Sequence, residues 1–583
     1  MSHLIEAIKQ ERQRIEEPKN RSRYFIFSKV NERHDREGYS VTFENAPDRV
    51  LRDARWLALQ DTSSLFRVGD IFISGAMEIT LEGIRVLFPA DEIDRLNIDI
   101  AAIRRITDIG IDYIMDNREL TEQLLAFLES KVHLENQFLE PLTQYTNPIS
   151  IKSIGSPIDC SNLNPSQRHG VEKALSQKVT FFWGPPGTGK TKTMGALAAS
   201  LIKSKKRVLL TSLSNMALDQ LFLATLERLG HAATRTSIAR LGSTMDEKCQ
   251  GFSRNAFKRS VFYAKKAGMR WSEHIKYAFL VAGNFAMLTF PRAAAPGQFD
   301  YVIADEVSMA SIPSLIAASF FATTGIVVGG DPFQLPPIYP EDAEEPNEWF
   351  RANVFEKAGI EQSDDPRAAF LDTQYRMQHE IADLVSEMFY KDVGGLKTGL
   401  DLDALAQIGG FGGRVVFIHS PGTVETVGAD YLDAEEHRRF NEVHAESVIK
   451  AVWVALRQGV KSSDIGIIAP YNAQVVKILQ KLRQFSRQNA LDIDGLKVST
   501  VHSFQGQERR VIVVDFTDDN VRPTHLTAKW QLINVALSRA KEQLVIVGNH
   551  DYLMSKEYFN EKEIEIFKRL LKHARLQKES VEE

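Results

Sequence analysis

The sequence predicts an α/β fold with two parallel-sheet domains in tandem, preceded by a smaller β-rich domain. Two patterns carry this prediction. From about residue 160, apolar strand-like runs (VTFFWG, RVLLTS, FDYVIADE and TGIVVGGD) alternate with helical stretches, the mark of a parallel sheet with crossover helices. A second series of the same kind begins near Phe370, with GRVVFIHS, DIGIIAPY, GLKVSTVHS, RRVIVVDF and QLVIVGN. Length agrees, because 583 residues at roughly 100–200 per domain leave room for several units.

Taken in order, residues 1–20 read as a polar helix with apolar points at Leu4, Ile5, Ile8 and Ile15. The segments RYFIFSKV, GYSVTFEN, VGDIFISGAMEITL and GIRVLFPA then alternate with period 2 between Gly and Asn breaks, which predicts a small antiparallel sheet or barrel. Residues 119–142 return to helical spacing. Two readings fit this part equally: a small β-barrel on helical stalks that return it to the core, or an unrelated β-type domain. The expected boundaries are 1–150 for these helices and strands, 151–365 for the first α/β domain, and 366–555 for the second. A helix-rich insertion is expected at about 243–280, and a charged helix at 556–583.

Composition bounds the function loosely. Hydrophobic residues make up 43% and charged residues 25%, an ordinary globular mixture. The net charge of −5 neither requires nor excludes a nucleic-acid partner, because a large protein needs only a local basic groove. Two cysteines, Cys160 and Cys249, with no CxxC pairing leave no basis for a disulfide framework or a zinc module. The opening MSHLIEAIKQERQRIEE lacks the apolar core of a signal peptide. With no run of about 18 apolar residues, a soluble, intracellular, cytoplasmic protein with no membrane contact is expected.

The chemistry concentrates in a few motifs. Gly184-Pro185-Pro186-Gly187-Thr188-Gly189-Lys190-Thr191 fits the P-loop pattern in full, after an apolar strand and before a helix-forming stretch. Glycines at this spacing let backbone N–H groups wrap phosphates, and the helix start adds its positive end. Lys190 is expected to reach the β- and γ-phosphates of ATP, and Thr191 to bind Mg²⁺. Asp305-Glu306 ends the run FDYVIADE, at the strand tip where ligands of parallel sheets bind. Asp305 is placed to hold the metal, and Glu306 to orient and deprotonate the attacking water. Arg376 and Arg539, both in the second half, are candidates for arginine fingers. Read alone, each arginine is a surface charge and each strand-end acid a helix cap.

In order along residues 163–549, further motifs resemble those of superfamily 1 helicases of the 5′-to-3′ group. Within that group the sequence is similar to the nonsense-mediated-decay RNA helicase and its DNA-processing relatives. The resemblance implies two RecA-like P-loop NTPase domains with ATP between them, Arg376 and Arg539 reaching in from the second. It also implies the roles that follow. LNPSQ at 163–167 matches the adenine-reading segment, with Gln167 on the base. SNMALDQL at 214–221 matches the first strand-contacting motif. GGDPFQLPP at 329–337 gives Gln334 as γ-phosphate sensor. QYRM at 374–377 gives Tyr375 stacking on the base and Arg376 as one finger. VHSFQGQE at 501–508 places Glu508 near the ribose, and NVALSRAK at 534–541 gives Arg539 as the second finger. In this family the barrel on its stalk helices sits over the nucleic-acid channel.

Two positions depart from the pattern. Leu213 stands where the family has Pro before Ser-Asn. Met309 stands where DExxQ is usual, and Met lacks the amide's hydrogen-bonding groups. The cysteine- and histidine-rich module of the decay helicase and a nuclease domain are not recognisable in the sequence.

The expected activity is an ATP-dependent 5′-to-3′ helicase or translocase, acting as a monomer on a single strand of DNA or RNA. Candidate strand contacts are Ser214, Asn215, Thr289, Pro470, Tyr471, Thr500 and His502. The stretch from 248 to 277 interleaves Lys258, Arg259, Lys265, Lys266 and Arg270 with Phe257, Phe262, Tyr263 and Trp271. It reads as a strand grip or, more simply, as amphipathic helices with a solvated basic face. Two other classes remain open: an ATP-gated clamp without processive unwinding, and a regulatory NTPase acting on a protein.

Overall fold

The computed structural model describes residues 1–16, 23–45, 64–68, 71–80, 83–96, 99–107, 110–114, 118–152, 162–230, 237–242, 244, 246–253, 271–289, 298–337, 339, 347–399, 407–426, 439–489, 491–504, 506–524 and 526–578. The chain forms two compact units. One holds Met1–Arg14, Arg118–Arg376 and Phe389–Asp401; the other holds Ile15–Asn117, Met377–Met388 and Leu402–Glu583. No helix of the described residues is long and apolar enough to cross a membrane.

In the second unit, six antiparallel strands close into a barrel. They are β1 (Arg23–Asp35), β2 (Gly38–Asn45), β3 (Ser64–Val68), β4 (Ile71–Thr80), β5 (Gly83–Pro89) and β6 (Gly110–Ile114). They run in the order β1-β2-β5-β4-β3-β6, with β6 pairing back onto β1. Alternation builds it: Tyr39, Val41 and Phe43 on β2 and Ile84, Val86 and Phe88 on β5 are all fully buried, as period-2 side chains on one face must be. Closure removes the unpaired edges that a six-stranded sheet would otherwise expose.

The helices that flank the barrel in sequence belong to the first unit and pack on each other. In Ser2–Arg14 the residues Leu4, Ile5 and Ile8 are buried, and so are Leu124, Leu125 and Leu128 of Arg118–Ser130. Lys9–Glu129 and Arg12–Glu122 ion pairs line their rim at 3.2 and 3.3 Å. Phe127 stacks on Phe321 of the first α/β domain with ring centroids 5.6 Å apart.

That domain is a seven-stranded parallel sheet: β7 (Val179–Trp183), β8 (Val208–Ser212), β9 (Ile238–Arg240), β10 (Leu280–Ala282), β11 (Phe299–Asp305), β12 (Ala322–Gly330) and β13 (Ala368–Phe370), in the order β13-β7-β12-β11-β8-β10-β9. β7 and β8 are buried at every position, which is why they read as unbroken apolar runs. β13 pairs with β7, so the first sheet extends beyond residue 365. β10, at the end of the stretch expected to be helix-rich, pairs with β8 and β9. A short parallel pair follows, β14 (Thr373–Gln374) with β15 (Lys397–Thr398).

The second unit carries a six-stranded parallel sheet and a two-stranded ribbon. The strands are β16 (Val415–His419), β17 (Val424–Thr426), β18 (Arg439–Asn441), β19 (Ile465–Ala469), β20 (Lys497–Thr500), β21 (Arg509–Asp515), β22 (Ala540–Gly548) and β23 (Arg575–Lys578). The sheet order is β20-β19-β21-β22-β16-β23, and β17 pairs with β18. The C-terminal segment expected to be one charged helix is a helix, Glu561–His573, followed by the edge strand β23 against β16.

Candidate active site

The P-loop takes its shape from its glycines. Gly187 and Gly189 have φ of 76° and 75°, left-handed values that only glycine adopts without strain. Such a loop turns successive N–H groups toward one point. The helix Lys190–Lys203 begins at once, and Gly184 N donates to Gly330 O of β12 at 2.9 Å. Pro185 O accepts the Thr188 hydroxyl at 2.7 Å, which closes the loop on itself.

Four predicted residues converge here. Lys190 Nζ pairs with Asp305 Oδ1 and lies 3.0 Å from Glu306 Oε1. Thr191 Oγ1 donates to Asp305 Oδ2 at 2.8 Å. Burial alone would lower the Lys190 pKa, but the two carboxylates outweigh it and hold the ammonium above its ordinary value. Lys190 is therefore charged at any physiological pH. Glu306 has φ 55° and ψ 39°, an uncommon conformation for a non-glycine residue that costs about 1–3 kcal/mol and gathers at functional sites. Met309 is half-buried, at the end of the short turn Val307–Met309.

The γ-phosphate sensor candidate Gln334 donates to Asp331 Oδ2 at 2.8 Å. Asp331 was not singled out from the sequence, although it lies in the quoted GGDPFQLPP. It is fully buried and also accepts from Trp183 Nε1 (3.1 Å), Phe333 N (3.1 Å) and Tyr390 Oη (2.6 Å). Burial holds its pKa above the ordinary carboxylate value, and the bonds from Tyr390, Gln334, Phe333 and Trp183 offset part of that rise.

Arg376 lies in the first unit, on the P-loop, rather than in the second domain. A Cβ at Gly187 would stand 2.7 Å from Arg376 Cβ. The segment is fixed by Tyr375 N donating to Gly187 O at 2.8 Å and by Arg376 N donating to Gln374 Oε1 at 2.8 Å. Tyr375 is 38% exposed, and its hydroxyl accepts from Asn164 Nδ2 at 2.9 Å. Gln167, expected to read the base edge, is buried in a capping box. Its Oε1 accepts from Asn164 N at 3.0 Å and its Nε2 donates to Thr188 O at 2.9 Å.

In the second unit Arg539 is buried at the end of the helix Trp530–Leu537, its Nε donating to Val535 O at 3.0 Å. Glu508 pairs with Lys541 at 2.5 Å.

The candidate strand contacts divide. Ser214 is exposed and caps the helix Asn215–Leu229, its Oγ accepting from Ala217 N at 3.1 Å. Leu213 beside it is 40% exposed. Asn215 Oδ1 accepts from Arg240 Nη2 and Asn284 Nδ2 at 3.2 and 3.1 Å, and Thr289 is buried with its hydroxyl on Ala286 O. His502 is exposed and Thr500 half-buried. Pro470 and Tyr471 are buried, and the Tyr471 hydroxyl donates to Asp518 at 2.7 Å with Thr524 Oγ1 3.0 Å away. Tyr471 is thus part of a buried polar cluster and offers no face to a strand.

Of the basic insertion, Phe257, Lys258, Arg259, Phe262, Tyr263, Lys265, Lys266 and Arg270 lie outside the described residues, as does Cys160. Trp271 stacks on His274. Cys249 is a buried free thiol, its pKa pushed up to about 12 by burial and by nearby Asp219 and Asp246.

Two family profiles match the chain, each described as an AAA domain: one covers residues 162–272 and the other 351–551. A DNA replication ATP-dependent helicase/nuclease of Arabidopsis thaliana is 29% identical over 405 residues, 67% of this chain and 28% of its own length. Its counterpart in Bos taurus is 28% identical over 554 residues, 87% of this chain and 48% of its own. A homolog of regulator of nonsense transcripts 1 from Neurospora crassa is 26% identical over 464 residues, 72% and 40% of the two chains. The chain thus spans less than half the length of each of these relatives. Among solved structures, an Arterivirus nonstructural protein 10 helicase with DNA aligns with 85% of this chain and 75% of its own, at 12% identity and a TM-score of 0.36. The α/β assignment rests on the two parallel sheets themselves. By sequence, through its P-loop part and its second half alike, the chain is similar to the superfamily 1 helicases.

Proposed function

We propose that this chain hydrolyses ATP and uses the cycle to move 5′ to 3′ along single-stranded DNA or RNA, opening duplexes as it goes. The observation that supports this most is the convergence of Lys190, Thr191, Asp305 and Glu306 on one point of the P-loop. A chain needs these groups together only to bind and cleave a phosphoanhydride. Lys190 would neutralise the β- and γ-phosphates. Glu306 would take a proton from the water that attacks the γ-phosphorus as the bond to the leaving ADP oxygen breaks. Gln334 would sense the γ-phosphate, and Arg376 and Arg539 would offset its developing charge.

The site fits Mg²⁺. Thr191 Oγ1 and Asp305 Oδ2 are hard oxygen donors side by side. An ion of this kind is held by one or two protein oxygens together with phosphates and water. When bound, Mg²⁺ would neutralise phosphate oxygens.

For the strand, Ser214, Asn215, Thr289, Thr500 and His502 remain the proposed contacts. The barrel, flanked in sequence by two paired helices, is proposed as an accessory domain on stalks, with domain limits near 150 and 555 and a limit between the two α/β domains that follows β13. Met309 favours one second reading, an ATP-gated clamp, because the residue lacks the amide that usually follows the Asp-Glu pair.

The test is ATP hydrolysis with and without single-stranded DNA or RNA. Stimulation by one polymer, abolished by chelation of the metal, by Lys190→Ala and by Glu306→Gln, is the expected result. Hydrolysis indifferent to both polymers would refute movement along a strand.

A further inference from the structure

Gln334 can act on a γ-phosphate only if its amide is held, and what holds it is Asp331. The Asp331 carboxylate accepts four donors, two on each oxygen: Trp183 Nε1 and Phe333 N on Oδ1, and Gln334 Nε2 and Tyr390 Oη on Oδ2. A carboxylate has about four lone-pair positions. The four donors occupy all of them, and the Gln334 nitrogen is the atom that faces the carboxylate. Two of the four donors are local in sequence, and Trp183 comes from the strand that leads into the P-loop.

Tyr390 comes from elsewhere. It is 59 positions from Asp331, fully buried, and the last residue of a π-helical turn, Ser386–Tyr390. It is also the second residue after the chain returns from the second unit to the first. Its ring lies against Phe333, beside Gln334, with centroids 5.7 Å apart. π-Turns are rare and found mostly at functional sites.

We propose that Tyr390 is a positioning residue for ATP hydrolysis: its hydroxyl holds the Asp331 carboxyl in place and thereby fixes Gln334 as the γ-phosphate sensor. This rests on the ATPase reading above.

Among the described residues, the groups that bond Asp331 are Trp183, Phe333, Gln334 and Tyr390, all of them neutral. With burial raising the Asp331 pKa and the Tyr390 bond lowering it, loss of the hydroxyl moves the pKa up. Activity that needs the ionised form is lost as pH falls through that pKa, so the acid limb of kcat moves to higher pH.

The experiment compares the full chain with Tyr390→Phe, Gln334→Ala and the double variant, reading steady-state ATP hydrolysis against pH. Tyr390→Phe is expected to lower kcat about tenfold to a hundredfold, the worth of one hydrogen bond to a charged group, with KM for ATP unchanged. Its acid limb should lie at higher pH, and it should cost nothing further in the Gln334→Ala background. A shared melting temperature shows that the fold is intact. Equal kcat and an unmoved acid limb in Tyr390→Phe, or full additivity with Gln334→Ala, overturns the inference while leaving the ATPase intact. A wild-type chain that does not hydrolyse ATP overturns both.

Discussion

Gly187 is packed closely against the segment that carries Arg376. Its φ is 76°, and a Cβ there would stand 2.7 Å from that of Arg376. Gly187→Ala is expected to cost about 1–2 kcal/mol in backbone strain alone, and to push the 374–376 segment off the loop. Titration with a fluorescent ATP analogue should show binding weakened about tenfold or more, the equivalent of 1.4 kcal/mol; unchanged affinity would mean that this contact does not shape the site. Arg376→Ala separates binding from chemistry: kcat falls about a thousandfold, the low end for an arginine finger, while the analogue still binds. Residues of this kind were legible when their partners are neighbours in sequence, as along Gly184–Thr191. Tyr471 was misread because an aromatic after a strand looks the same whether its hydroxyl meets a base or, as here, the buried Asp518. Tyr390 left no local trace at all, since what gives it meaning is an aspartate 59 positions away.

The helix Pro165–Ser176 shows how the cap of an element can position a site. Asn164 accepts from Gln167 N at 2.8 Å, Gln167 accepts from Asn164 N, and the same asparagine donates to the Tyr375 hydroxyl. One cap therefore holds both residues expected around the adenine. Asn164→Ala should destabilise the helix start by about 1 kcal/mol and loosen both side chains. KM for ATP is expected to rise about fivefold with kcat kept, the pattern of a lost uniform binding contact; a fall in kcat at unchanged KM would place the cap in the chemistry instead. At this scale the long strands were legible, because burial on both faces leaves unbroken apolar runs such as VTFFW and VIVV. β9, β10 and β13 were not, because three residues are too few to show a period. β23 was hidden by its composition: Arg575–Lys578 is polar because it is an edge strand, and edge strands carry charge against mispairing.

A whole molecule with a net charge of −5 has no overall attraction for a polyanion, so any grip on a strand must come from a local cluster of donors and cations. That makes the salt dependence of binding informative. Each phosphate neutralised on a single strand contributes about −0.7 to the slope of log K against log salt. A chain that tracks a strand through several backbone contacts is expected to show a slope of several units and little preference among sequences. An NTPase directed at a protein would show none. Direction is then read from tailed duplexes: unwinding with a 5′ single-stranded tail and none with a 3′ tail is the expected outcome. Equal unwinding of both would refute the proposed polarity. Strand-stimulated hydrolysis and a steep salt slope with no unwinding of either would point to a clamp that grips and releases, and Met309→Gln would then be the variant to make. If the missing amide is what uncouples hydrolysis from movement, restoring it should bring strand separation to the 5′-tailed duplex without a large change in the rate of ATP turnover.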